Sequence, residues 1–144
     1  MTKLIFATIF TVTILSCGQD KAPVDKDKER IDSVCDKFMQ IFRDGNLSGA
    51  MEILKQNSVM GNSAIDTLQQ TIKQQMNKIL PSYGKMLSYE FISEHKIKNF
   101  ITRRFYILKF DKYYLKFDFT LYNNGNGWTI TGFNYNEELL ELLY

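Results

Sequence analysis

The stretch from Ser88 to Asn136 constrains the fold of this chain most. Tyr113 to Tyr122 alternates strictly: Leu115, Phe117, Phe119 and Leu121 against Lys116, Asp118, Thr120 and Tyr122. A period of two is the signature of a strand with one buried face. Asn123-Asn-Gly-Asn-Gly127 follows, a hairpin turn of residues that tolerate positive φ. Trp128 to Tyr135 then returns as a second strand. Its phase changes at Gly132, with Trp128 and Ile130 on one parity and Phe133 and Tyr135 on the other, which predicts a bulge. Two further strands precede these, about Leu87–Lys98 and Phe100–Phe110, and Asp111-Lys112 is a tight connection. The Phe100–Phe110 strand is apolar on both parities. It is therefore either bulged or covered on both faces, and the second option calls for a partner chain on the outer face.

Three helical segments come before the sheet. Ile31, Val34, Cys35, Phe38, Met39, Ile41 and Phe42 recur at helical spacing over Asp27–Arg43, and Gly45 suits a left-handed C-terminal residue. A short helix spans about Ser48–Gln56, with Ser48 as N-cap. The third runs about Ser63–Leu80, with Ser63 and Asp66 as a capping-box variant and Pro81 as its stop. Its stripe of Ile65, Leu68, Ile72, Met76, Ile79 and Leu80 predicts one face on the sheet. The opposite, glutamine-rich face reads as solvated rather than as a coiled-coil seam. Glu137 to Tyr144 is amphipathic but too short to hold as a helix alone, and it packs on the sheet edge or touches a partner.

The N-terminus carries a different message. Lys3 precedes an uncharged run from Leu4 to Leu15, then Ser16 and Cys17. That run is too short to span a bilayer. Ile14-Leu15-Ser16-Cys17 resembles the lipobox of bacterial lipoproteins. The resemblance implies cleavage between Ser16 and Cys17, acylation of Cys17, and anchoring in the bacterial envelope, on the outer membrane because Gly18 rather than Asp follows. Each buried CH₂ of an acyl chain contributes about 0.8 kcal/mol to anchoring. Residues 18–26 are polar and charge-mixed, a tether that lacks the apolar content to fold. The expected organisation is a signal peptide over 1–16, lipidated Cys17 and tether over 17–26, and an α+β domain over 27–144. A Cys17–Cys35 disulfide is the competing use of the two cysteines. It is rejected because lipidation claims Cys17 and Cys35 lies on an apolar helix stripe.

Chemistry is sparse. The single histidine, His95, sits between Glu94 and Lys96 on a strand and reads as a surface residue. Asp118 alternates away from the core. Arg103 and Arg104 suggest an anion site, though solvated strand-end charge is the preferred reading. Tyr106 is the one polar aromatic singled out as a candidate pocket group. No metal-ligand cluster, nucleophile–base pair or phosphate-binding loop is visible, so no cofactor, metal or catalytic residue is assigned. A net charge of +2 argues against a nucleic-acid partner.

Phe38-Met-Gln-Ile-Phe-Arg-Asp-Gly-Asn-Leu-Ser-Gly-Ala50, a long third helix, Tyr83-Gly84 and a meander closing on Trp128-x-Ile-x-Gly-Phe133 together resemble the nuclear transport factor 2-like, cystatin-like cone fold. The similarity is greatest to its small lipoproteins of undefined function. The resemblance implies a curved four-stranded antiparallel sheet wrapped round a helix, with a pocket between. Members include isomerases, dehydratases and plain binding domains, among which fold alone does not choose. Two functions compete: a lipid-anchored domain holding a small ligand or protein, and an enzyme acting on a small hydrophobic substrate. An interior filled by Phe117, Phe119 and Trp128 favours the first; a cavity holding Tyr106 and a carboxylate favours the second. Self-association through the two-sided strand, giving a homodimer, is a third.

Overall fold

The computed structural model describes residues 25–143, so Ser16, Cys17 and most of the tether lie outside the described residues. The order is α1 (Lys26–Arg43), α2 (Leu47–Asn57), α3 (Asn62–Tyr83), β1 (Met86–Ile97), β2 (Ile101–Phe110), β3 (Tyr114–Asn123) and β4 (Trp128–Asn136), then one 3₁₀ turn at Leu140–Leu142. The strands form one antiparallel sheet in the order β1-β2-β3-β4. This is the expected α+β arrangement, helices first and an open sheet after.

The core lies between the helices and the inner face of the sheet. Phe38 and Phe42 of α1 meet Phe119 and Phe117 of β3 at ring-centroid distances of 5.2 and 5.0 Å. Tyr106 stands edge-on to Phe119 at 5.7 Å. The bulge is where Gly132 predicts it. Thr120 pairs with Gly132 and Leu121 with Ile130, so Thr131 is the extra residue. The slip brings Phe133, like Ile130, against the core, with its ring 5.0 Å from Phe38.

Several sequence expectations change. The N-cap of α2 is Asn46, whose carboxamide oxygen accepts from the Gly49 amide at 2.9 Å; Ser48 instead accepts from Gln69. The N-cap of α3 is Gly61, with no side-chain hydrogen bond, so Ser63 is not a cap. Pro81 does not stop the helix. It sits in the last turn, where only a few carbonyls follow, and the chain turns at Gly84, with φ 83°. There the Asp111 carboxylate accepts from the Lys85 amide. The helix that lies along the sheet is α1; α3 leans on α2, and of its stripe Ile65 and Ile72 are buried while the rest is partly exposed.

β2 is covered on both faces, but by this chain. Phe105 points to the outer face yet is 1% exposed. Arg103 and Lys116 lie 5.0 and 5.7 Å from its ring and His95 lies 4.9 Å away. The C-terminal segment crosses this face instead of following the sheet edge: Glu141 accepts from Lys116 at 2.5 Å and from Arg103 at 3.1 Å. Asp118 does point away from the core, and it is buried all the same, beneath Arg103 at 2.9 Å. The bulges expected on β2 are on the edge strand β1, near Leu87 and Ile92.

Candidate functional site

Neighbouring residues on a strand face opposite ways, so Arg103 and Arg104 separate. Neither is solvated strand-end charge. Arg103 joins the outer cover, whereas Arg104 turns inward and is 8% exposed. On α1, Lys28, Asp32 and Asp36 recur at four-residue intervals and line one helix face, which meets it. The guanidinium contacts Asp32 at 3.0 Å, Glu94 of β1 at 3.1 Å and Asp36 at 3.5 Å. Lys28 bridges Asp32 and Glu94 from the far side, at 2.5 and 2.8 Å. The ring of Phe91 covers the guanidinium at 4.4 Å.

Tyr106 belongs to this cluster. Its hydroxyl donates to Asp36 at 2.5 Å and accepts from Arg104 Nε at 3.0 Å. Burial, and then the hydrogen bond to Asp36, push its pKa far up, so it holds its proton. Burial alone would raise the Glu94 pKa, but hydrogen bonds from Lys28, Lys96 and Arg104 hold it below the usual carboxylate value. Cys35, one turn away, is fully buried and its thiol is pushed up to about 12 by that burial. Every polar group of the Arg104 cluster therefore has a partner. The arrangement ties α1 to β1 and β2. Tyr106 lines none of the clefts described next, and His95 is exposed.

Several clefts open on the surface, and two of them lie at opposite ends of α1. At one end a groove of about 410 Å³ runs between the α1–α2 connection and α3. Its floor is Phe42, Ile72, Met76 and Leu80, and its rim includes Asn46, Gln69, Lys73 and Asn77. At the other end, where α1 begins, a second cleft of about 420 Å³ is walled by Asp25, Lys28, Lys96, Lys98, Asn99, Thr102 and Trp128. Here the start of β4 is fastened to the first turn of α1. The Trp128 indole donates to Asp25 at 2.9 Å, its amide donates to Asp27 at 2.5 Å, and Arg30 donates to its carbonyl at 3.1 Å. Neither cleft was legible beforehand, because each is lined by side chains far apart in sequence. The lysines around the β1–β2 turn were the one local signal for the second. In comparisons with known proteins, the chain matches no family model, no curated protein and no solved structure at a significant level.

Proposed function

We propose that this chain is a lipid-anchored protein of the bacterial envelope whose folded part is a non-catalytic binding domain of the nuclear transport factor 2-like type. The order of three helices and a four-stranded antiparallel meander supports the family reading, and the Ile14-Leu15-Ser16-Cys17 stretch supports the anchor. One observation carries the choice of binding over catalysis: the space between α1 and the sheet is filled. Phe117, Phe119 and Tyr106 are each 0% exposed, and the Tyr106 hydroxyl is held between Asp36 and Arg104. Small-molecule chemistry needs a cavity with a few convergent polar groups. The end clefts offer space for a ligand; the outer face of the sheet is a weaker docking surface, since the C-terminal turn occupies it.

The anchor is tested by intact-mass and peptide mass spectrometry of the full-length chain expressed in a bacterium with a lipoprotein pathway. The expected product begins at an acylated Cys17 and partitions with membranes, while Cys17→Ser retains residues 1–16. An unmodified Cys17 with the leader still attached would overturn the proposal.

A further inference from the structure

The cleft at the α1 end combines three features that do not depend on one another. First, three lysines converge on it against a single carboxylate on its wall. Lys28 is already shared by Asp32 and Glu94. Lys96 is 61% exposed and meets one oxygen of Glu94 at 3.0 Å. Lys98 makes no ion pair among the described residues. Second, Thr102 lines the cleft at 1% exposure, and its hydroxyl has no hydrogen-bond partner among the described residues. Buried hydroxyls are nearly always satisfied, so this donor is available to a ligand oxygen. Third, Asn99 of the β1–β2 turn and Trp128 of β4 also line it. The Asp25 carboxylate is engaged by the Trp128 indole and by the amides of Asp27 and Lys28. It repels an anion from its own side of the cleft.

We propose that this cleft binds a phosphate group, with Lys96 and Lys98 neutralising its charge and Thr102 and Asn99 donating to its oxygens. Several donors of mixed type around one opening suit an anion with oxygens in several directions, and lysine ammonium groups serve phosphate as mobile point charges. The phosphate comes either from a free phosphate ester or from a phospholipid headgroup. The second source follows from the anchor proposed above and rests on that reading: seven residues lie between Cys17 and Asp25, eight residue steps with a reach of about 28 Å at most, so an acylated Cys17 would hold the cleft close to a bilayer.

Trp128 is the only tryptophan of the chain, so its emission reports on this wall. The full-length chain in non-ionic detergent is titrated with inorganic phosphate, glycerol 3-phosphate and dihexanoyl phosphatidylglycerol, against potassium chloride at matched ionic strength. At least one phosphate probe is expected to give a saturable change absent from the chloride control. The doubly substituted Lys96→Ala, Lys98→Ala chain should bind it roughly tenfold more weakly or worse. Both side chains are exposed, so the substitution leaves the fold intact, which circular dichroism checks. Thr102→Val keeps the shape and removes the hydroxyl, and should weaken binding by roughly threefold to tenfold. Saturation by inorganic phosphate or glycerol 3-phosphate supports a soluble ester. Saturation by phosphatidylglycerol alone supports a headgroup. No saturable change with any probe, or a change that survives in the double lysine variant, overturns the proposal. Mass spectrometry of Cys17 tests the anchor separately, so the two readings fail independently.

Discussion

Replacing Arg104 by methionine tests the physical account of the α1–sheet junction. The side chain contacts Asp32, Glu94 and Asp36 and donates to Tyr106. Methionine reproduces the stem as far as Nε but not the guanidinium that lies over Phe91, so the loss is chiefly that of the charge and its hydrogen bonds. Removing one partner of a fully buried ion pair costs about 3–5 kcal/mol, and an exposed pair contributes about 0–1 kcal/mol. This cluster lies between those limits. Glu94 and Asp32 are 15% and 24% exposed and keep Lys28, while Asp36 is 49% exposed and keeps the Tyr106 proton. The expected destabilisation at neutral pH is therefore about 2–3 kcal/mol. For a domain of this size, that lowers the urea midpoint by about 1–2 M at unchanged slope.

The pH dependence makes the test sharper. The folded-state pKa of Glu94 is lowered. Its contribution is therefore present above the unfolded carboxylate value and is lost as pH falls through the folded value. Arg104→Met removes one donor, so that pKa moves back up and less stability remains to be lost. The gap between parent and variant should be widest at neutral pH and should narrow below about pH 4. Adding Glu94→Gln to the variant should recover part of the loss. Urea melts followed by circular dichroism across this range settle the matter. A variant within about 0.5 kcal/mol of the parent at neutral pH, or a gap that widens on acidification, would refute the reasoning.

Two further substitutions probe the other joints. Gly84→Ala should cost about 2–3 kcal/mol, because φ is 83° and a Cβ there would stand 2.7 Å from the Cβ of Asp111; a urea midpoint close to the parent's would show that this turn is not the end-stop of α3. Glu141→Gln strips Lys116, which is 0% exposed, of its carboxylate and should cost about 1–2 kcal/mol, with faster limited proteolysis after residue 137. Burial of Lys116 dominates that figure, since Glu141 is itself 42% exposed. The Glu141 pKa is lowered, chiefly by Lys116, so protection should fade as pH drops through its folded value, and proteolysis that is independent of pH would count against the strap.

Much of the scaffold was readable from short-range pattern. The alternation of β3 placed Phe117 and Phe119 inward, and Asn123 to Gly127 formed the turn, with Gly125 at φ 91°. Gly45, at φ 80°, marked the end of α1, and Gly132 marked the bulge. Helix ends were less legible because several residues compete for each cap. Asn46 displaced Ser48 once Leu47 was already helical, and Gly84 rather than Pro81 ended α3. The candidate site was scarcely legible at all. Tyr106 was singled out as a pocket group, but its partner Asp36 lies 70 residues away in the chain, and the two meet only when α1 crosses the sheet.

By itself the sequence determined where helices and strands lie and which strand faces are apolar, and it shows an uncharged run from Leu4 to Leu15 before Ser16 and Cys17. These are properties of neighbouring residues, set by the 3.6- and 2-residue periods, glycine conformations and local composition. Tertiary structure alone decided that Phe105 on the outer face of β2 is covered by Arg103, Lys116 and the C-terminal turn. It also decided that Arg104 is neutralised beneath α1, that the space between α1 and the sheet is packed, and which distant side chains line each surface cleft. Those outcomes depend on which charges and volumes are brought together across the sheet, and no local period carries that information.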